Sequence, residues 1–183
     1  MNKDNNSKKC RASVCAAVYA RHSSEMQSPT SAKDQIERAK YLAQRNQIPT
    51  RLYQGCAIKI DPKWICSDEA ISGKIAGRLG YQNILNGIRQ RAFQVLIVDD
   101  LSRLTRSLGN LLDLYELLKH YDIELVSITD RVSSCEPNSR VFFTMRGMVA
   151  DFGNEAHAGR TTRGMQARAR GGFSTGQKPY GYG

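Results

Sequence analysis

The stretch Val95-Leu96-Ile97-Val98-Asp99-Asp100-Leu101-Ser102-Arg103-Leu104-Thr105-Arg106 decides how this chain folds. Four consecutive apolar residues, three of them β-branched, read as a strand buried on both faces, and such strands belong to parallel sheets covered by helices. A polar turn, Asp99 to Ser107, follows the strand. Leu108, Leu111, Leu112, Tyr115 and Leu118 then recur at the spacing of an amphipathic helix.

Working outward, the same unit repeats. Val14 to Ala20 reads as a buried strand that ends in the polar run Arg21 to Glu25. Ser31 and Asp34 are spaced as a capping box, and Ala32, Ile36, Ala39 and Ala43 continue from it as a helix face. The segment 48–63 has no consistent period and carries Pro49, Gly55 and Pro62, so it predicts a loop or insertion. Lys63 to Ser67 predicts a second strand, 68–80 a glycine-rich loop, and 81–91 a helix with Ile84, Leu85 and Ile88 inward. Ile123 to Ile128 supplies a fourth strand. Beyond the turn 130–139, Val141, Met145, Met148, Val149, Phe152 and Ala156 form an apolar stripe that leads into the basic stretch Arg160 to Arg170. Alternating strands and helices of these lengths predict a three-layer α/β fold with a parallel sheet and a long C-terminal helix.

Composition bounds the function. The 183 residues are 40% hydrophobic and 24% charged, an ordinary globular mixture that excludes disorder throughout. Lys and Arg number 27 against 17 Asp and Glu, a net charge of +10 that suits a polyanionic partner. From Gly159 onward there are Arg160, Arg163, Arg168, Arg170 and Lys178 and no acidic residue. Five cysteines form no CxxC pair, so neither a disulfide framework nor a zinc site is predicted. No apolar run approaches the roughly 20 residues that cross a bilayer, and the polar start is unlike a signal peptide. A cytoplasmic setting without a membrane association is the expectation.

Three basic or hydroxyl clusters follow strands: Arg21-His22-Ser23-Ser24, Arg78, and Ser102-Arg103-Leu104-Thr105-Arg106. In a doubly wound sheet such loops converge on one edge. A serine among several guanidinium groups suits phosphoryl transfer, because Arg binds phosphate oxygens bidentately and stabilises transition-state charge. The same arginines read equally well as solvated loop charges. A Ser-His-acid hydrolase lacks its G-x-S-x-G elbow here, and His120 and His157 fall on helix surfaces. Asp99-Asp100 is a minority candidate for Mg²⁺, with pairing to nearby arginines as the plainer reading.

Tyr19-Ala20-Arg21-His22-Ser23-Ser24-Glu25-Met26-Gln27, continued by Asp34-Gln35-Ile36, resembles the Y-x-R-x-S-[ST]-x-x-Q signature of serine site-specific recombinases, the resolvase/invertase superfamily. Ser67-Asp68-Glu69-Ala70-Ile71-Ser72-Gly73 is similar to the loop before that family's next arginine, which falls on Arg78, and Leu101-Ser102-Arg103-Leu104-Thr105-Arg106 is similar to its L-[DS]-R-L-x-R pattern. Arg160-Thr161-Thr162-Arg163-Gly164, followed by Pro179-Tyr180-Gly181-Tyr182, resembles the end of the catalytic domain in large serine recombinases. The match runs from about Ala16 to Gly183, and its ordered motifs are more specific together than any one alone.

The resemblance implies a site-specific DNA recombinase that cuts and rejoins DNA through a 5′-phosphoserine intermediate, with Ser23 as nucleophile. Arg21, Arg78, Arg103 and Arg106 would surround the scissile phosphate, Gln27 would support the site, and no cofactor or metal would be needed. Its partners would be double-stranded DNA and further copies of itself, as a homodimer and a synaptic tetramer. On this reading 1–13 is a polar leader, 14–139 the α/β catalytic domain, 140–172 a dimerisation and DNA-backbone helix bearing Arg160, Arg163, Arg168 and Arg170, and 173–183 the start of a truncated or missing DNA-recognition domain. Gly147, Gly153 and Gly159 fall in that helix, and each glycine costs about 1 kcal/mol relative to Ala, which predicts fraying and weak self-association. The alternatives are an inactive truncated remnant that binds DNA or a full-length recombinase, and a Mg²⁺-dependent nuclease or phosphatase.

Overall fold

A computed structural model describes residues 13–21, 31–68, 78–104 and 108–173, and for 103 and 150–161 the backbone only. Five strands, β1 (Val14–Arg21), β2 (Ile58–Asp68), β3 (Val95–Val98), β4 (Glu124–Ser127) and β5 (Val132–Ser133), lie in the order β2-β1-β3-β4-β5. The first four are mutually parallel. Helix α1 (Ala32–Gln44) leads from β1 to β2, α2 (Leu79–Arg89) from β2 to β3, and α3 (Leu108–His120) from β3 to β4. Helix α4 (Ser139–Arg170) closes the described chain.

The strands carry apolar residues on both faces because both faces are covered. Val14, Ala16, Val18, Ile58, Val95, Ile97 and Val126 pack with Ala39 and Ala43 of α1 on one side. Ala17, Tyr19, Leu96, Val98 and Leu125 pack on the other with Ile84 and Ile88 of α2, Leu111, Leu114 and Leu118 of α3, and Phe143 of α4. This is the three-layer α/β arrangement that the alternation of elements predicts. The capping box of α1 forms as spaced: the Ser31 hydroxyl accepts from Asp34 N–H at 3.2 Å, and the Asp34 carboxylate accepts from Ser31 N–H at 3.0 Å.

Several expectations need correcting. The sheet is not wholly parallel, since β5 runs antiparallel to β4. Only four residues separate β4 from β5, with Arg131 at φ 51°, whereas a parallel return needs a crossover of about a dozen residues or more. The segment 58–62, read as loop, is the first part of β2. Its irregularity has a cause: the register jumps from Ala16 opposite Ile60 to Val18 opposite Ile65, and Pro62 is tolerated at that bulge because β2 is an edge strand. Cys56 is disulfide-bonded, its partner lying outside the described residues, while Cys15, Cys66 and Cys135 are free thiols.

Helix α4 also departs from expectation. It is continuous through Gly147, Gly153 and Gly159. A Cβ built on Gly147 would lie 2.5 Å from Leu108 Cδ1 and 3.0 Å from Leu108 Cα, so this glycine is a contact position where α4 presses on the start of α3. Phe143 is fully buried, yet the stripe Val141, Met145, Met148 and Val149 faces outward with 46–64% of each residue exposed.

Candidate active site

Strands β1 and β3 are neighbours in the sheet, although β2 lies between them in the sequence. The order of connections therefore reverses between them, and in open α/β sheets ligands bind beyond the strands' C-terminal ends at such a point. Strand β1 ends on Arg21, and β3 runs through Asp99 and Asp100 into a 3-10 turn, Leu101–Arg103. The sheet thus delivers Arg21 and the turn 101–104 to one edge.

Arg21 is buried, and its Nη2 donates to the carbonyl oxygen of Ser102 at 3.0 Å. Its backbone is fixed by Gln35, a fully buried polar residue on α1. Gln35 Nε2 donates to Arg21 O at 3.1 Å and Gln35 Oε1 accepts from Arg21 N–H at 3.3 Å. From the opposite side Arg78 Nη1 donates to Leu104 O at 3.2 Å. Two guanidinium groups from separate elements therefore brace the turn that carries Arg103.

Arg78 immediately precedes α2 and makes no side-chain cap. That role falls to Asp68 at the end of β2. Its Oδ1 accepts from Gly80 N–H at 2.8 Å and its Oδ2 from Tyr81 N–H at 2.9 Å, satisfying donors a helix start leaves open. A Cβ on Gly80 would meet Ser67 O at 2.8 Å, so only glycine allows this close approach of α2 to β2. Asp68 Oδ2 also accepts from the Tyr19 hydroxyl at 3.0 Å. Burial, then the charge and hydrogen bond of Asp68, push the Tyr19 phenol far above its usual range, while Arg78 and Arg21 pull it the other way. Tyr19 is thus held as a neutral donor within the field of both arginines.

The other side of the turn is acidic. Asp100 caps it, its Oδ1 accepting from Ser102 N–H at 2.7 Å, and its Oδ2 accepts from Arg146 Nη2 of α4 at 3.0 Å. Asp99 Oδ1 accepts from Arg38 Nη1 of α1 at 2.7 Å. Each carboxylate considered for Mg²⁺ is therefore answered by a guanidinium, the plainer of the two readings. Among the described residues no group of three His, Cys, Asp or Glu side chains is placed to hold a metal ion.

Of the residues singled out in the sequence, Arg21 and Arg78 come together as described. Arg103 is placed by its backbone alone, and Ser23, Gln27 and Arg106 lie outside the described residues. Arg163, Arg168 and Arg170 are exposed on the last turns of α4, while the side chain of Arg160 lies outside the described residues. Sequence reading did not assign roles to Gln35, Asp68, Arg38 or Arg146. Gln35 had a usable signal, a polar residue among the apolar positions of α1. Arg146, a charge between Met145 and Gly147, had a weaker one.

A mainly parallel sheet with helices on both faces that brings Arg21 and Arg78 to the turn beyond its switch point defines an open α/β domain with a basic site at the sheet edge. Residues 16–173 match the family described as Resolvase, N terminal domain. The DNA-invertase of Escherichia phage P1 is 32% identical over 134 residues, covering 73% of this chain and 70% of the relative. The serine recombinase gin of Escherichia phage Mu is 30% identical over 112 residues, covering 61% and 57% respectively. In fold, the chain is similar to the N-terminal catalytic domain of TP901-1 integrase, with TM-score 0.54, 22% identity and coverage of 78% of this chain and 98% of that one. A resolvase family site-specific recombinase from Streptococcus pneumoniae gives TM-score 0.56 at 22% identity, covering 86% and 99%. The chain belongs to the resolvase N-terminal domain family and is a site-specific serine recombinase.

Proposed function

We propose that the chain cleaves and rejoins duplex DNA with Ser23 as the nucleophile. The Ser23 hydroxyl gives up its proton as its oxygen attacks a backbone phosphorus, the Oγ–P bond forms as the bond to the 3′ oxygen breaks, and that oxygen takes up a proton and leaves as a 3′-hydroxyl. The phosphodiester energy is kept in a 5′-phosphoserine linkage, so rejoining is the reverse displacement by a 3′-hydroxyl and needs no nucleotide. Arg21, Arg78, Arg103 and Arg106 bind the phosphate oxygens and stabilise the added charge of the transition state, with Gln27 in support. The observation that carries this reading is the convergence of Arg21 and Arg78 on the carbonyls of Ser102 and Leu104.

On this reading 14–139 is the catalytic unit and 140–172 the arm that meets DNA and a second copy. Arg160, Arg163, Arg168 and Arg170 follow the phosphate backbone, a sequence-independent contact that weakens with salt. The exposed stripe Val141, Met145, Met148 and Val149 is the surface for a dimer and for a synaptic tetramer. Its DNA substrate places the protein in the cytoplasm. Among the described residues no helix is long and apolar enough to cross a membrane.

The test is adduct formation by the full chain joined to a zinc-finger DNA-binding domain, using nicked suicide duplexes. Ser23→Ala should abolish the covalent protein–DNA adduct and Ser24→Ala should keep it. Adducts that persist in Ser23→Ala would refute the nucleophile. No adduct from the unsubstituted chain would favour a remnant that binds without cutting.

A further inference from the structure

Arg146 lies on α4, outside every motif that points to the site, and one of its nitrogens is shared by two carboxylates. Nη2 is 2.7 Å from Asp130 Oδ1 and 3.0 Å from Asp100 Oδ2. Each carboxylate uses its other oxygen on the turn or the strand beneath it. Asp100 Oδ1 accepts from Ser102 N–H, and Asp130 Oδ2 accepts from Leu101 N–H at 3.3 Å and from the Ser127 hydroxyl at 2.6 Å. The side chain of Asp130 is 7% exposed and that of Asp100 19%, so these are not freely solvated surface ions. Next along α4, Gly147 abuts Leu108. Two consecutive residues of α4 therefore contact the turn that bears Arg103, by way of Asp100 and Asp130, and Leu108 at the start of α3.

We infer that Arg146 is a positioning residue that, through Asp100 and Asp130, holds the arginine-bearing turn in the geometry that cleavage needs. The chain of contacts is short. Arg146 fixes Asp100 and Asp130, these hold the N–H groups of Ser102 and Leu101, and the turn in turn receives Arg21 and Arg78 at its carbonyls. The inference rests on the proposed role of the arginines in cleavage, so one of its tests is independent of activity.

The first measurement is amide hydrogen exchange on the full chain. Arg146→Gln should speed exchange at Leu101 and Ser102 by tenfold or more and leave the amides of α1 unchanged. Unchanged exchange at both would overturn the link. The second is single-turnover adduct formation at saturating protein by the zinc-finger fusion. Arg146→Gln should slow it at least tenfold with the half-saturating protein concentration unmoved, and Arg146→Lys should recover part of the rate. Asp100→Asn removes one of the two ion pairs of Arg146 and keeps a good capping side chain. Combined with Arg146→Gln, it should add no further loss. A rate for Arg146→Gln within twofold of the unsubstituted chain, or losses that multiply in the double variant, would overturn the positioning role. Should Arg146→Gln fail to melt cooperatively, Asp100→Asn decides alone, by the same tenfold and twofold limits. Persistent adducts in Ser23→Ala would instead count against the nucleophile and leave the exchange result standing.

Discussion

Gln35 holds Arg21 by two opposed hydrogen bonds, Nε2 to the carbonyl oxygen at 3.1 Å and Oε1 from the amide N–H at 3.3 Å. An amide side chain is the group that can both donate and accept at this spacing, and no water competes for a residue 1% exposed. Gln35 thus sets where β1 ends and where the Arg21 side chain departs.

Gln35→Leu keeps the size and abandons both partners. Each backbone group left buried without a partner costs about 1–3 kcal/mol, so a loss of about 2 kcal/mol or more in urea unfolding is expected. A loss under about 0.5 kcal/mol, the range of ordinary surface substitutions, would mean that the end of β1 finds other partners.

Arg78→Lys preserves charge and removes the planar fork. Lys imitates bidentate recognition poorly, and loss of one transition-state donor costs on the order of 3 kcal/mol in the barrier. Single-turnover cleavage by the zinc-finger fusion should fall accordingly, with DNA binding changed far less. Cleavage retained within a few-fold would return Arg78 to the status of a solvated loop charge braced on Leu104.

Gly147→Ala weighs two effects of opposite sign. Alanine gains about 1 kcal/mol of helix propensity, but its Cβ would overlap Leu108 Cδ1, and overpacking costs about 1–3 kcal/mol. A lower thermal midpoint is expected, partly restored by Leu108→Ala in the same chain. A higher midpoint for the single variant would show that Leu108 moves aside freely.

Glu124 provides a pH signature. It is fully buried on β4 and accepts from Arg51 N–H, from Leu52 N–H at 3.1 Å and from the Ser133 hydroxyl at 2.5 Å. Burial outweighs these hydrogen bonds and raises its carboxyl above the ordinary 4.5. A group that holds its proton more tightly when folded contributes most below its unfolded value, and that contribution is lost as pH rises through the folded one. The midpoint of the unsubstituted chain minus that of Glu124→Gln should therefore shrink from about pH 4.5 upward. A difference that grows with pH would contradict the direction.

Much of the architecture was written locally. Val95–Val98 declared a strand buried on both faces by composition alone, and Ser31 with Asp34 declared the start of α1, because these signals involve neighbours in the chain. The ordered arginine and serine motifs likewise carry the resemblance to serine recombinases, since residue type and spacing are themselves sequence properties. What the sequence left open depends on contacts between distant segments. The apolar residues of α4 could not say which of them faced inward, and packing against α3 buried Phe143 and Gly147 while leaving Met145 and Val149 outside. Pro62 argued for a loop until the sheet order placed β2 at an edge, where no ladder partner asks for its missing N–H. Nor did Asp100, Asp130 and Arg146 form any pattern along the chain. Their meeting required the turn after β3, the turn after β4 and the first half of α4 to arrive at one point, and only the folded backbone brings three such segments within hydrogen-bond reach.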